Sequence, residues 1–316
     1  MPRFPMRIYA MVDGNRFADA PRSIAPALHS IAATNVHTAM TRPPRATATP
    51  LGDVVGRLWR YRALVVQLAR RDVTGRYRGS VLGLLWSLFH PVLMLATYTF
   101  VFSVIFKARW GEGVGESKVE FAIILFTGLI VFSLFSECIN RAPGLVLNNV
   151  NYVKKVVFPL EILPWVTFCS ASFHFIVSLA VLLVFMLIAG GALHWTIVLL
   201  PLVMLPLVLL TLGLSWLLAS LGVYIRDVGQ SVGVVTTVLM FLSPIFYPIT
   251  AVPEAFRGWI RRNPLTQAIE QARDVIIFGR VPDWSVLLIW TFVGILIAWL
   301  GLAWFQRTRG GFPDVL

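Results

Sequence analysis

Six stretches of about 20 apolar residues recur along the chain, and a window of that length is what an α-helix needs to cross a bilayer. They are Val81–Phe106, Val119–Ile139, Ile162–Ile188, Ile197–Tyr224, Val232–Ile249 and Ser285–Phe305. In hydrocarbon every backbone N–H and C=O must find its partner within the protein, so isolated runs of this kind are built as helices. The rest of the composition agrees, with 57% hydrophobic and only 13% charged residues, where a soluble domain carries about 25% charged residues. The expectation is an all-α integral membrane protein with six transmembrane helices.

A basic amphipathic helix runs straight into the first of these spans. At about 100° per residue, Val54, Leu58, Tyr61, Val65 and Leu68 share one face, while Arg57, Arg60, Gln67 and Arg71 lie opposite and Arg62 sits at the stripe's edge. A greasy side and a cationic side suit a helix lying in the membrane plane, its apolar face toward the acyl boundary.

The formal net charge is +12. Much of it brackets apolar spans, as expected of anchoring on anionic lipid, so nucleic acid is not the expected partner. The flank at 51–80 holds Arg57, Arg60, Arg62, Arg70, Arg71, Arg76 and Arg78; the second connection holds Arg141, Lys154 and Lys155; the tail holds Arg307 and Arg309. Counting these as cytoplasmic places both termini inside. Arg257, Arg261, Arg262, Arg273 and Arg280 then face outward, against the rule. Residues 1–50, rich in Pro, Ala, Thr and Arg, read as a disordered cytoplasmic tail or an over-long start. Cys138 and Cys169 fall in apolar segments without metal or disulfide spacing and read as packing residues.

Chemistry-bearing residues are few. No GxxxxGK[ST] motif occurs, so no nucleotide phosphate is cradled by that route and no cofactor is expected on this chain. The mid-span polar residues are His90 and His174, neither beside a carboxylate in sequence, and each reads most simply as hydrogen-bonded to a neighbouring helix. Glu137 closes the second span and Glu161 opens the third, positions that favour docking over proton relay. Glu112, Glu116 and Glu120 are the one outward acidic cluster a membrane glycosyltransferase could use, but no DxD-like pair accompanies them. The second connection, NRAPGLVLNNVNYVKKVVFPLE at 140–161, is long enough for a short helix before Pro159, suited either to a groove on a partner protein or to the headgroup region. Two short helical patterns separated by Asn263-Pro264 occupy 250–284.

Several runs together carry a family resemblance: LARRDVTGRYRGSVLGLLWSLFHPVLM at 68–94, NNVNYVKKVVFPLEILP at 148–164, LGVYIRDV at 221–228, SPIFYP at 243–248 and NPLTQAIEQARD at 263–274. In this order and placement the chain resembles ABC-2 type permeases that export O-antigen, capsular and teichoic-acid polysaccharides. The resemblance covers residues 51–316 and implies a six-span domain that forms a homodimer and pairs with two separate ATP-binding subunits, on which ATP and Mg would sit. It further implies export of a lipid-linked polysaccharide across the bacterial inner membrane, with no enzymatic activity on this chain. An exporter of a drug or small lipid on the same fold stays open beside it, as does the glycosyltransferase reading.

Carried over by residue, the resemblance makes Asp53–Thr74 an interface helix whose join to the first span holds Arg70, Arg71, Asp72, Arg76 and Tyr77. It makes Asn148, Asn149, Tyr152, Lys154 and Lys155 a coupling helix toward the ATPase. Arg226 and Asp227 match a cytoplasmic Arg-Asp pair, and Trp259, Asn263 and Pro264 fall in re-entrant periplasmic gate helices. Sugar rings stack on aromatic faces, so Trp86, Phe89, Tyr98 and Phe100 of the first span and Phe246 and Tyr247 after the fifth are the expected channel lining, with Trp86 and Tyr247 foremost.

Overall fold

The computed structural model describes residues 51–101, 118–153 and 158–316, and within the first helix the side chains of Val54 and Leu58 fall outside the described set. The tail expected at 1–50, Glu112, Glu116, Lys154, Lys155 and the end of the first apolar run at Phe106 also lie outside it. Among the described residues the chain is wholly helical. The main helices are α1 (Leu51–Arg76), α2 (Trp86–Tyr98), α3 (Lys118–Arg141), α4 (Leu163–Ile188), α5 (Leu200–Tyr224), α6 (Val228–Leu242), α7 (Glu254–Arg261), α8 (Pro264–Ile276) and α9 (Trp284–Thr308).

Among the described residues, five helical stretches are long and apolar enough to cross a membrane: Gly83–Val101, Val119–Gly144, Leu160–Ile188, Trp195–Tyr224 and Trp284–Val315. The sixth expected span is different. Helix α6 has 15 residues and stops at Leu242, because Pro244 and Pro248 deny the backbone the donors a continued helix requires. Residues 243–248 follow without regular structure.

Helix α3 is the hub. Of its membrane-length window 78% is buried, against 11% for the window containing α2, and its side chains from Phe121 to Ile139 pack with those of α4, α5, α6 and α8. Helix α8, expected as part of a re-entrant gate, is itself a core element: Leu265, Ile269, Ala272, Val275 and Ile276 are fully enclosed. Its short neighbour α7 instead exposes Phe256 and Trp259.

Helices α5 and α9 meet through glycine. A Cβ on Gly301 would lie 2.0 Å from the Gly213 carbonyl oxygen, and one on Gly213 would lie 2.5 Å from that of Ile297, so only small residues let these backbones touch. Beyond α9 the chain turns back: Phe312 is buried against Phe305 and Tyr224, and Arg309 pairs with Glu161 at the start of the third span.

The apolar stripe of α1 faces protein rather than the acyl boundary. Val65 and Leu68 are buried, with Tyr61 and Leu64 beside them, against Ile162, Trp165, Val166 and Cys169. The physical reason is that Ile162 and the first turns of α4 present an apolar surface at the same level, which takes the stripe out of solvent. Trp59, Arg60, Arg62, Val66 and Gln67 are among the residues left exposed, with the Arg62 guanidinium 4.3 Å from the Trp59 ring centre.

Candidate substrate-handling site

Between α2, α3 and α4 lies an open cleft of about 640 Å³. One wall is apolar and partly aromatic, from Trp86, Met94, Tyr98, Phe126, Leu129 and Ile130; one end is polar, from Arg76, Tyr77, Glu137 and His174, and His90 also lines it. The wall arises because α2 is buried only along Ser87, Pro91 and Leu95, which leaves its remaining faces to the cleft and to lipid.

The polar end is a network that joins α1 to the spans. Arg76 Nη2 donates to Glu137 Oε1 at 2.5 Å, and Arg141 Nη2 donates to Asp72 Oδ1 at 2.7 Å. Tyr77 OH and His174 Nε2 are 3.0 Å apart, and His174 Nδ1 is 3.3 Å from Glu137 Oε2. Burial holds the Tyr77 phenol above its ordinary value, with the Glu137 charge adding to this and Arg76 opposing it. Arg76 Nη1 also lies 3.4 Å from His174 Nδ1, so Arg76 and Glu137 meet at the same ring nitrogen. For Asp72, burial alone would raise the carboxyl, but Arg141, by hydrogen bond and by charge, with Arg76 beyond it, outweighs burial and holds it below its ordinary value.

A smaller cavity of about 90 Å³ sits where α1 meets the second connection, lined by Arg71, Asp72, Arg141, Asn149 and Tyr152 among others. Asp72 Oδ2 and Arg141 Nη1 reach it without hydrogen-bond partners, and a polar space of this size accommodates water. Arg71 Nη2 donates to Tyr152 OH at 2.7 Å, and the Tyr152 ring stacks on Phe158 at 4.2 Å. Among its described residues the second connection forms short helical turns at Ala142–Gly144, Leu147–Asn149 and Val150–Val153; Asn149 donates to the Leu145 carbonyl, and Asn148 is exposed.

The structure separates the expected channel aromatics. Trp86 and Tyr98 line the cleft. Phe89 meets Trp86 edge-on at 5.6 Å but is exposed, as is Phe100. Phe246 and Tyr247 lie on the irregular segment after α6, where Phe246 packs toward the core and Tyr247 OH donates to the Phe241 carbonyl at 3.0 Å. Arg226 and Asp227 are both exposed, and no ion pair links them among the described residues. Trp259 is exposed, whereas Asn263 caps α8 by accepting from Leu265 N at 3.0 Å with Pro264 in the first turn. Arg70 is exposed on α1.

Sequence reasoning missed two features. One is the partner of His174: the expected bond to a neighbouring helix is made, but to Glu137, 37 residues away and read from the sequence as a span-end residue. The other is Arg273, counted with the outward basic residues but wholly buried. Among the described residues no cluster of three or more His, Cys, Asp or Glu side chains is arranged to hold a metal ion.

Comparison with known proteins follows the same layout. The profile of the ABC-2 type transporter family matches residues 63–277. The chain is 27% identical over 263 residues to the O-antigen export system permease protein RfbA of Myxococcus xanthus, which covers 83% of this chain and 98% of that protein. It is 27% identical to the RfbA of Klebsiella pneumoniae over 80% of this chain and 95% of the relative. It is 25% identical to the polysialic acid transport protein KpsM of Escherichia coli, over 78% and 93%. With a family match that takes in two-thirds of its length and every element around the cleft, the chain belongs to the ABC-2 type transporter family.

Proposed function

We propose that this chain is the membrane-spanning, non-enzymatic subunit of an ABC transporter that exports a lipid-linked polysaccharide across the bacterial inner membrane. The observation that carries the reading is likeness, along about four-fifths of the chain, to permeases named for O-antigen export and polysialic acid transport. Energy comes from separate ATP-binding subunits, two per homodimer, since the sequence holds no phosphate-cradling motif of its own. Both termini are cytoplasmic.

In this reading α1 is the interface helix. The segment around Tyr152 receives the ATPase motion and passes it to α1 through the Arg71–Tyr152 contact and to α3 through Asp72–Arg141. The cleft, with aromatic wall and polar end, offers the weak, repeated contacts a sliding glycan needs. Residues 243–276 then lie toward the periplasm, where α7 and α8 form the outer gate.

Purifying the chain with its ATP-binding partner and adding lipid-linked glycan tests this. Stimulated hydrolysis and movement of glycan into proteoliposomes are expected. Failure to form a stable complex with any ATP-binding subunit overturns the reading.

A further inference from the structure

Arg273 is the deepest charge in the described domain, with a side chain 2% exposed. Its guanidinium spends its donors on backbone: Nε on the Ile124 carbonyl at 3.1 Å, Nη1 on that of Pro244 at 2.7 Å and Nη2 on that of Ile245 at 3.1 Å. Nη1 also donates to Glu270 Oε1 at 2.6 Å, one turn earlier on the same helix. One side chain on α8 thus ties the middle of α3 to the irregular segment that follows α6. Asn263, at the start of α8, adds a second tie, with Nδ2 donating to Ser243 Oγ at 3.2 Å.

The need for such a group follows from the broken helix. Non-helical backbone at membrane depth is tolerated only where protein or water satisfies it, and the carbonyls of Pro244 and Ile245 are satisfied by this arginine. The facing helix leaves room for it: a Cβ on Gly128 would lie 2.8 Å from Nη2.

We propose that Arg273 is a positioning residue for export, a latch that holds Ser243–Tyr247 across α3 and α8, and that passage of the polymer requires this segment to part from it. The proposal rests on the export reading. Three features favour a latch over a permanent strut. Segment 243–247 has no helical ladder of its own; Ser243 and Tyr247 bond back to α6 and Ile245 and Phe246 pack into the core, while the polar ties of its backbone to α8 run through Arg273. Carbonyl partners are exchangeable for water or sugar hydroxyls without loss of hydrogen bonding. Glu270 sits on the same helix as Arg273 and is partly exposed, so it keeps the cation paired after the carbonyls leave and no bare charge is buried. Parting also moves Phe246 and Tyr247, the next residues along.

The test uses the complete transporter, this chain with its ATP-binding partner, in proteoliposomes loaded with calcein. Three forms are compared with wild type: Arg273→Gln, Arg273→Lys, and Ser243→Cys with Asn263→Cys in a Cys138→Ser, Cys169→Ser background, bridged by a short bis-methanethiosulfonate. Arg273→Gln is expected to assemble and hydrolyse ATP while calcein leak rises at least about tenfold, a change equivalent to losing one good hydrogen-bonded tie. Arg273→Lys, with one ammonium for the same carbonyls, partly restores the seal. Bridging the cysteine pair is expected to stop glycan export with ATP hydrolysis retained, and reducing the bridge to restore it.

A tight Arg273→Gln transporter, or normal export through the bridged pair, overturns the latch. If Arg273→Gln does not fold, the bridged pair alone decides. Calcein leak needs no substrate, so failure of wild type to export glycan sinks the export reading while leaving the seal measurable.

Discussion

At the C-terminal end of α3, Arg76, Arg141, Asp72 and Glu137 neutralise one another side chain to side chain, each a fifth or more exposed. Thirteen residues toward the other end, about 20 Å along the helix, Arg273 reaches the Ile124 carbonyl as a guanidinium sealed from solvent, with Glu270 of its own helix as its ion partner. The two regions teach different lessons about charge in a membrane domain. In the first, each ion has a second ion or water within reach, so losing one partner is absorbed by its neighbours. In the second, three buried carbonyls share one guanidinium, so its removal breaks all three bonds at once.

The contrast breaks most readily at Arg273. Arg273→Gln strands buried carbonyls, and with unsatisfied groups costing about 1–3 kcal/mol each the loss should reach roughly 3 kcal/mol, read as a clear fall in the unfolding temperature of the detergent-solubilised protein. A loss no greater than that of Glu137→Gln would erase the distinction. Next comes Gly128→Ala, whose methyl presses on the guanidinium and on Ile269; overpacking of this kind costs about 1–3 kcal/mol and should vanish when Arg273 is shortened in the same chain.

Glu137→Gln keeps the shape of the polar end and removes one charge, with an expected cost of about 1 kcal/mol. A double-mutant cycle with Arg76→Gln should return a coupling of similar size, and a coupling of several kcal/mol would mean that this end is as unforgiving as the other. The smallest effect is that of pH. Because the Asp72 carboxyl is held below its ordinary value, its contribution to docking α1 is complete above the usual carboxylate range and is lost only as pH falls through the lowered value. The part of the proteolytic protection of α1 that Asp72 supplies, read as the difference between wild type and Asp72→Asn, should therefore be the same at pH 8 and pH 5, both above that range.

Much of the fold was legible from hydropathy. The bounds expected for the third and fourth spans fall within two residues of those observed, and the second and last spans begin within one residue of where expected but run on past Ile139 to Gly144 and past Phe305 to Val315, because a helix in hydrocarbon satisfies its own backbone and needs only length and apolarity. The fifth run did not behave this way, since Val232–Ile249 is apolar throughout yet carries Pro244 and Pro248, and a hydropathy window does not register a missing N–H. The stripe on α1 was correctly drawn for Tyr61, Val65 and Leu68, but its partner was not, because a periodic pattern says that a face is buried and not what buries it. Of the expected site residues, Trp86 and Tyr98 meet at the cleft while Phe246 and Tyr247 stand apart from it, a division that depends on where α6 breaks.

The sequence by itself determined the membrane class, the helix lengths and the likeness to polysaccharide exporters. These properties are local, or are sums over the chain. Tertiary structure alone decided which polar groups meet: Glu137 with His174, Arg71 with Tyr152 across 81 positions, and Arg273 with the Ile124 carbonyl across 149. The physical reason is that a buried ion is tolerable only where its partners already converge, and that convergence is a property of packed helices rather than of any one segment.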